Sequence, residues 1–330
     1  MGLLTVIEQG VLSSVQGLGR VGLGHAGVAR SGAFDTRSLR IGNRLLGNEE
    51  TDAAIELTMN GGSFEVSAST MICLTGARAV NAKVLFESLR VPLRNRMPTV
   101  VPAGCTIEIG ALSSGLRMYL CIAGGIQSEL VMGSRSSLVS LPDAGLGGAL
   151  RAGDELEFHA LSFTKPAPSL SAQVLDPIPI REQARVLRVV PSVHTGLFSE
   201  SQRAQLCDSV FQVSDQSNRA GVRLTGQRID DEILRQTKSE GTLPGYVQVP
   251  ASGEPIVLGV DGPTTGGYPV IACVIEADIP ELGQCELRES VRFEWVTRET
   301  ALQAMRDQEE MIGSVESQVS SRGFDGKSDA

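Results

Sequence analysis

The sequence has few aromatic residues, few histidines and no long apolar run. Aromatic residues make up 4% of its 330 positions, and the three histidines, His25, His159 and His194, are widely dispersed. Dispersed histidines do not have metal-ligand spacing, so no metal site is predicted. No apolar run approaches the ~18 residues of a membrane span, and no basic-then-apolar leader is present. These absences predict a cytoplasmic protein that does not contact membrane.

The sequence also has fewer basic than acidic residues. Lys and Arg total 29 against 38 Asp and Glu, which gives a net charge of −9 and argues against binding to nucleic acid, which needs many phosphate contacts. The six cysteines are scattered, without a C-x-x-C pair or a disulfide framework, so we expect them to be reduced and structural. A hydrophobic content of 42% is enough for a substantial core, divided between about two domains.

The segments that are present favour β-structure. Runs of four to eight apolar or alternating residues, such as "STMICLTG", "LRMYLCIAGG", "RVLRVVP" and "PVIACVIEA", are separated by Gly, Pro, Asn or Ser. In "VQVPASGEPIVLG" two such runs flank a short glycine-containing connection at residues 251–254, which predicts a hairpin. The fold class predicted is therefore mainly β, with a few helices.

Three helices stand out from this background. The first is expected between Asp35, a suitable N-cap, and Gly47, a suitable C-terminal glycine. A second begins at Ser199, which has capping-box spacing to Gln202. A third follows Trp295, and its apolar stripe is predicted from three residues: Leu302, Met305 and Ile312.

A proline-rich stretch divides the chain. Residues 163–180, "FTKPAPSLSAQVLDPIPI", are expected to link two β-rich lobes, at residues 1–162 and 181–300. Residues 301–330 are assigned to the third helix and a disordered tail.

The stretch "QGLGRVGLGHAG", residues 16–27, matches G-x-G-x-x-G twice. A dinucleotide loop must open a helix directly after a strand, whereas here "VARSGAFD" still contains turn residues. A Walker A loop is not supported either, since the nearest partial match to its motif, at Gly326, lacks the required upstream glycine. We therefore predict no phosphate-cradling role for these glycines.

Four basic or amide side chains of the first helix are candidates for substrate binding. Arg37, Arg40 and Arg44 share one helix face with Asn43 beside it, and the adjacent glycine stretch adds Arg20. Guanidinium groups suit carboxylate or phosphate oxygens. An ordinary solvated helix face is the alternative, and the two interpretations remain open.

Two loops supply further candidates. "DGPTTGGYP", residues 261–269, offers Asp261 as a catalytic group and a set of substrate-binding residues: Thr264, Thr265, Gly266, Gly267 and Tyr268. A plain turn between buried strands is the alternative. "SNRAGVRLTG" supplies Asn218 and Arg219, and Arg219 would bind a substrate carboxylate or pair with a structural carboxylate such as Asp215.

Two more residues are candidates for proton transfer. Glu56 lies among apolar neighbours, where desolvation would raise the pKa of its carboxyl group, although an ion pair with an arginine of the first helix is equally expected. His25 is the second candidate. No G-x-S-x-G elbow occurs, so a covalent nucleophile is not predicted.

An ordered set of motifs resembles a known family. "SSVQGLGRVGLGHAGVARSGAFDTRSLRIGNRLLGN", "AIELTMNGGSFEV", "YLCIAGGI", "SNRAGVRLTG", "GYVQVPASGEPIVLG" and "TTGGYPVIACVIEADIPELGQ" are similar to segments of the biotin-dependent carboxyltransferase and allophanate hydrolase subunit 2 family. The resemblance runs from about Leu4 to Phe293 and implies two cyclophilin-like β-barrel lobes. Many members have Val-Pro-Pro where this chain has Val28-Ala29-Arg30, which adds a positive charge beside the candidate site.

The resemblance implies three possible functions. The leading one is a subunit of an ATP-dependent 5-oxoprolinase, which uses ATP with Mg²⁺ and acts with subunits A and B, of which B is the more closely associated. The second is transfer of a carboxyl group from carboxybiotin on a separate carrier to urea or a similar amide. The third is a non-enzymatic regulator that binds an inhibitor of a histidine kinase.

Overall fold

The computed structural model describes residues 1–161, 184–229 and 237–320, with side chains described as far as residue 315. The elements are mainly strands, as predicted, and the described residues include four α-helices: α1 (Thr36–Leu46), α2 (Glu200–Asp208), α3 (Ile279–Gly283) and α4 (Arg298–Ser320). The predicted linker at residues 163–180 and residues 321–330 of the predicted tail lie outside the described residues.

The strands of the first half of the chain are β1 (Gly2–Glu8), β2 (Leu12–Gln16), β3 (Ala54–Thr58), β4 (Ser63–Val66), β5 (Thr70–Ala79), β6 (Lys83–Phe86), β7 (Leu89–Pro92), β8 (Thr99–Val101), β9 (Thr106–Glu108), β10 (Leu112–Ile122) and β11 (Glu155–Phe158). Those of the second half are β12 (Arg185–Pro191), β13 (Phe211–Val213), β14 (Gly221–Thr225), β15 (Glu240–Gly241), β16 (Tyr246–Gln248), β17 (Ile256–Leu258), β18 (Thr265–Gly266), β19 (Val270–Val274) and β20 (Ser290–Trp295).

The chain divides into two compact units whose boundaries do not follow the sequence simply. The first unit contains Met1–Gly19 and the described residues of Thr36–Ile180 and Glu310–Ala330. The second contains Arg20–Asp35 and the described residues of Arg181–Glu309. Residues 20–27 of the glycine-rich stretch therefore belong to the second unit, whereas residues 16–19 belong to the first, whose strands precede and follow the stretch in the chain.

The first unit is built from two sheets. One has the order β11-β1-β4-β9-β6-β7 and the other the order β2-β3-β10-β5-β8. Side chains from both sheets form one buried core, to which Leu4, Phe64 and Ile107 contribute from the first sheet and Ile55 and Leu120 from the second. This apolar burial is the main stabilising contribution to the unit.

Helix α1 packs closely against β5 and β10 of the first unit. A Cβ at Gly42 would lie 2.5 Å from Cys121 Sγ and 3.0 Å from Thr75 Oγ1, so the small residue permits this contact. Thr75 Oγ1 in turn donates to the carbonyl oxygen of Ser38 at 2.8 Å. Burial raises the pKa of the Cys121 thiol to about 12, in keeping with a structural cysteine.

The second unit contains a closed barrel with the strand order β12-β19-β16-β17-β14-β13-β20. It closes through parallel pairing of β12 with β20, while the other pairs are antiparallel. Its core includes Phe34, Leu187, Phe211, Val247 and Ile271, all fully buried. Phe34 comes from the segment next to the glycine-rich stretch and anchors that segment in the barrel core.

Two local predictions for the second unit are confirmed. Strands β16 and β17 pair antiparallel around the connection at residues 251–254, as expected of the hairpin. Helix α2 begins at a capping box, in which Ser199 Oγ accepts from the backbone of Gln202 and the Gln202 side chain accepts from the backbone of Ser199. Both features follow from residues close together in sequence.

The predicted apolar stripe of α4 is wrong in part. Leu302 and Met305 are each 41% exposed, whereas Ala304, Ile312 and Val315 are buried. The buried face is thus rotated from the one that the larger side chains suggested. Ala304 packs with Ile275 and Ala277, a contact in which a small residue allows close approach.

Candidate functional site

The glycine-rich stretch forms a closed loop in the second unit. The Arg20 backbone N–H donates to the Arg30 carbonyl oxygen at 2.6 Å and joins the ends of the loop. Within it a short 3-10 turn spans Gly24–Ala26, and Gly22 and Gly27 have φ angles of 85° and 78°. Only glycine adopts this left-handed region readily, which explains the composition without a bound phosphate.

A cavity of about 400 Å³ lies against this loop. Its lining comes from three segments of the second unit: residues 20–22, 24–25 and 28–30; residues 242–244; and residues 258–260 and 262–264. Among these described residues are two arginines and one histidine but no aspartate or glutamate, in a chain of net charge −9. An apolar wall with a few polar groups, at this size, is typical of a small-molecule site.

Arg20 brings a buried positive charge to the cavity wall. The residue is 3% exposed. Burial lowers the pKa of its guanidinium group below the ordinary value, and the nearby Asp261 carboxylate offsets only part of this effect. An arginine stays charged in proteins, so this group can give charge-assisted hydrogen bonds to a carboxylate or amide oxygen in a medium of low dielectric constant.

His25 also lines the cavity and is exposed. Its Nδ1 lies 2.9 Å from the carbonyl oxygen of Gly22. Because a carbonyl oxygen only accepts, Nδ1 carries the hydrogen in this contact, and Nε2 of the neutral ring holds the lone pair. His25 is thereby arranged to accept a proton at Nε2.

Asp261, predicted to be catalytic, is instead buried in an ion pair, and its side chain is 0% exposed. Arg219 Nε donates to its Oδ2 and Arg219 Nη2 to its Oδ1, both at 2.9 Å. Ser31 Oγ also donates to Oδ1, at 3.0 Å. The carboxylate is engaged and enclosed, which favours a structural role, and the catalytic role stays a prediction.

The same contacts favour the structural alternative for Arg219 over the predicted role in substrate binding. Besides Asp261, its Nη2 donates to the Gly32 carbonyl oxygen at 2.6 Å. The structural alternative was right in kind, but the partner is Asp261, since Asp215 pairs with exposed Arg288 at 2.9 Å. Together these bonds attach the segment that follows the glycine-rich loop to the turn after β17 and to the residues just before β14.

The predicted loop at residues 261–269 is divided between two roles. Thr264, with its neighbours Gly262 and Pro263, lines the cavity. Thr265 and Gly266 form β18 and pair with β15, and the Gly267 carbonyl oxygen accepts from the Thr237 backbone at 3.1 Å. Tyr268 is 45% exposed. Thr265, Gly266 and Gly267 therefore contribute to a strand and its turn, outside the cavity lining, and their role in substrate binding stays a prediction.

The basic residues of α1 belong to the first unit, and two of them are held by a carboxylate. Arg40 and Arg44 both bind the Glu50 side chain. Burial raises the pKa of Glu50, but the hydrogen bonds and charges of these arginines outweigh it and lower the pKa below its ordinary value. The single carboxylate offsets one of these two positive charges and ties both arginines to the turn after the helix, so a structural role is favoured while the anion-binding role stays a prediction.

The remaining α1 candidates lie in the same surroundings. Asn43 is fully buried, and its Nδ2 donates to the Asp52 carbonyl oxygen at 2.8 Å while Oδ1 accepts from Asn48 at 3.1 Å. It fixes the turn after the helix rather than a substrate. Arg37 is half-buried on the same helix.

Glu56 is buried in the first unit, at 1% exposure, as predicted from its apolar neighbours. Tyr119 Oη donates to its Oε2 at 2.7 Å, and Arg117 Nε lies 3.5 Å from its Oε1. Of the two interpretations, the structural ion pair holds, with an arginine of β10 in place of one from α1. The proton-transfer role of Glu56 stays a prediction.

Asn218 stabilises a turn instead of binding a ligand. Its Oδ1 accepts from the backbone N–H groups of Ala220 at 2.8 Å and Gly221 at 3.3 Å. This is the local side-chain-to-backbone bonding that asparagine commonly provides in turns. The structure therefore gathers Arg20, His25 and Thr264 at the cavity.

The sequence interpretation missed Thr242, Leu243 and Pro244, which line the cavity before β16. The Thr242 backbone N–H donates to the Thr264 carbonyl oxygen at 3.0 Å and so joins two lining segments. A proline-containing turn next to a buried strand was the signal available, but such turns are common. Pairing between distant turns cannot be recognised from local sequence.

Metal binding and membrane insertion find no support in the described parts of the chain. Within residues 1–161, 184–229 and 237–320, no group of three or more His, Cys, Asp or Glu side chains comes together. No helix in the same ranges is long and apolar enough to cross a membrane.

Residues 26–295 match the model of the carboxyltransferase domain, subdomain A and B. The chain belongs to this family. One relative is the C subunit of the 5-oxoprolinase of Escherichia coli (strain K12). It is 35% identical to this chain, and the match covers 93% of this chain and 96% of the relative.

The family also includes domains of larger proteins. Urea amidolyase of Lachancea kluyveri is 31% identical over 94% of this chain, which spans 18% of that protein. The crystal structure of Kluyveromyces lactis urea carboxylase superimposes with a TM-score of 0.80 at 26% identity and covers 95% of this chain, which spans 29% of that structure. The agreement supports the mainly β architecture that the resemblance implied.

Proposed function

We propose that this chain is one subunit of an ATP-dependent 5-oxoprolinase, which opens the lactam ring of 5-oxoproline to give L-glutamate. The observation that carries the proposal is the match to the 5-oxoprolinase component of Escherichia coli, which extends over 96% of that protein. A relative described as a subunit implies partners, and we propose subunits A and B, with B in closest association. The proposal includes a cytoplasmic location.

The cavity of the second unit suits the substrate of this reaction. Its apolar wall, which includes Val21, Leu258 and Val260, can hold a five-membered ring, and Arg20 can bind the carboxylate. At the glycines of this loop, backbone N–H groups can approach a ligand because no side chain stands in the way. Holding the lactam in one orientation lowers the entropic part of the barrier to ring opening.

The catalytic contribution of this chain is proposed to be binding and proton transfer. Water must add to the amide carbon and the ring nitrogen must gain a proton for the ring to open. His25 Nε2, with its lone pair directed by the Nδ1 contact to Gly22, is the candidate group that takes a proton from water. Arg20 would stabilise negative charge on the substrate.

The described lining of this cavity does not fit a complete site for ATP with Mg²⁺. Mg²⁺ prefers carboxylate oxygens, and the described lining of the cavity has arginine, histidine and threonine but no acidic residue. We therefore derive no step of nucleotide chemistry on this chain and propose that the partner subunits bind ATP with its Mg²⁺.

A second candidate is transfer of a carboxyl group from carboxybiotin to an amide. The family model and the TM-score of 0.80 to a urea carboxylase favour it. The apolar wall and Arg20 would fit a ureido ring and its carboxylate, and biotin, carried by a separate protein, would supply the carboxyl group when bound. In this function the chain would again bind and orient the small amide.

The test is purification of the full chain with its natural partners, followed by measurement of phosphate release with and without 5-oxoproline. The proposal predicts ATP hydrolysis that depends on 5-oxoproline and produces glutamate. Inactivity of a complex that contains subunits A and B would contradict it. Copurification with a biotin protein would favour carboxyl transfer, and copurification with an inhibitor of a histidine kinase would favour regulation.

A further inference from the structure

The cavity contains a second arginine with surroundings different from those of Arg20. Arg30 lines the same cavity, and its side chain is 38% exposed. Its Nη1 donates to Glu276 Oε1 at 3.0 Å, and Glu276 is 53% exposed. An exposed ion pair of this kind contributes little to stability and exchanges readily for another anion.

The two arginines are held next to each other by the main chain. The Arg20 backbone N–H donates to the Arg30 carbonyl oxygen at 2.6 Å, so the two positions are direct neighbours across the base of the glycine-rich loop. The segment after Arg30 is fixed as well, because the Ser31 backbone N–H donates to the Val260 carbonyl oxygen at 2.8 Å. Two arginines on a restrained backbone therefore line one cavity.

From this arrangement we infer that the cavity binds a small ligand with two anionic groups, one held by Arg20 and the other by Arg30 after its release from Glu276. The described lining contains no carboxylate, and the nearby Asp261 carboxylate is paired with Arg219. A cavity of about 400 Å³ holds a molecule of a few carbon atoms with an anionic group at each end. A dicarboxylate and a phosphorylated monocarboxylate share this chemistry.

This inference rests on the proposed function and makes it more specific. The substrate 5-oxoproline has one carboxylate, whereas glutamate, or a ring-opened form that carries a phosphoryl group, has a second anionic group. The site should hence bind ring-opened forms more tightly than the lactam. Arg30 determines this preference and Arg20 does not.

The experiment is isothermal titration of the purified full chain at low ionic strength with glutarate and with pentanoate, which have five carbons and two or one carboxylates. Glutarate should bind at least about tenfold more tightly, as expected of one additional charge-assisted hydrogen bond. Arg30→Gln should remove this difference and leave pentanoate binding unchanged. Glu276→Gln, which removes the competing carboxylate, should strengthen glutarate binding.

Arg288→Gln is the matched control, because it removes another exposed ion pair of the second unit, with Asp215, away from the cavity lining. Equal binding of the two probes, no binding of either, or unchanged glutarate binding by Arg30→Gln would overturn the inference. Phosphorylated and carboxylate ligands are distinguished by repeating the titration with 4-phosphonobutyrate, and tighter binding of this probe favours the phosphoryl form. If the complex hydrolyses no ATP in response to 5-oxoproline, but the chain still binds glutarate through Arg30, the proposed function is refuted and this inference is not.

Discussion

Asp261 and Arg20 lie near each other in the second unit, but their surroundings give them different roles. Asp261 accepts three hydrogen bonds, from Arg219 and Ser31, inside the protein. Arg20 is buried as well, yet it lies on the wall of a cavity that can admit a ligand. Burial alone does not identify a catalytic residue, because a fully bonded carboxylate has no capacity left for substrate.

Asp261→Asn is expected to destabilise the protein severely. The change leaves the Arg219 charge buried with its ion-pair partner removed, which typically costs about 3–5 kcal/mol of the free energy of unfolding. Urea denaturation measures the loss. Asp278→Asn is the control, because Asp278 pairs with Arg188, whose side chain is 34% exposed and can turn to solvent, so the loss should be smaller. Normal stability with abolished activity in Asp261→Asn would restore a catalytic role.

At the scale of elements, helix α1 shows how a basic face can be structural. Its arginines hold Glu50 in the turn that follows the helix, and Asn43 holds the backbone of the same turn. The sequence spacing placed Arg40 and Arg44 on one face correctly. It did not reveal that a carboxylate a few residues after the helix returns to that face.

The contribution of Glu50 to stability should depend on pH. Because its pKa is lowered in the folded protein, the contribution is complete above the ordinary carboxyl pKa and is lost progressively as the pH falls below that ordinary value toward the lower folded one. The difference in unfolding free energy between the natural protein and Glu50→Gln should therefore shrink below this pH in urea titrations. A difference independent of pH would contradict the ion pairs with α1.

Gly42→Ala tests the packing of the same helix. Alanine favours helix formation, but its Cβ would lie 2.5 Å from Cys121 Sγ, so we expect a net loss of about 1–3 kcal/mol from overpacking. Gly313→Ala in α4 meets nothing within 4 Å and should be neutral or stabilising. Thermal denaturation compares the two variants, and equal effects would argue against close packing of α1 on β5 and β10.

The elements that could be predicted from sequence are those that depend on nearby residues. The capping box of α2 and the β16–β17 hairpin required only local spacing, and strand periodicity indicated a mainly β fold. Partners such as Arg219 and Asp261, 42 positions apart, could not be predicted, because their pairing depends on how the barrel strands align. The same limit applies to the cavity, whose lining segments come from three distant parts of the chain.

For the molecule as a whole, family membership and local geometry support the same kind of function. The family model places the chain among carboxyltransferase domains, and its relatives include a 5-oxoprolinase subunit of Escherichia coli. The second unit contributes a positively charged cavity in a chain of net charge −9. A local field of this sign favours entry of a small anion despite the overall charge.

The most direct test of this account is the steady-state rate of phosphate release, with 5-oxoproline as substrate, by complexes that contain the natural chain, Arg20→Gln or the control Arg288→Gln. We predict that Arg20→Gln raises the KM for 5-oxoproline by about 10-fold or more, since a charge-assisted hydrogen bond to the carboxylate is lost, while Arg288→Gln matches the natural chain. An unchanged KM in a folded Arg20→Gln complex would show that the substrate carboxylate binds elsewhere and would contradict the account.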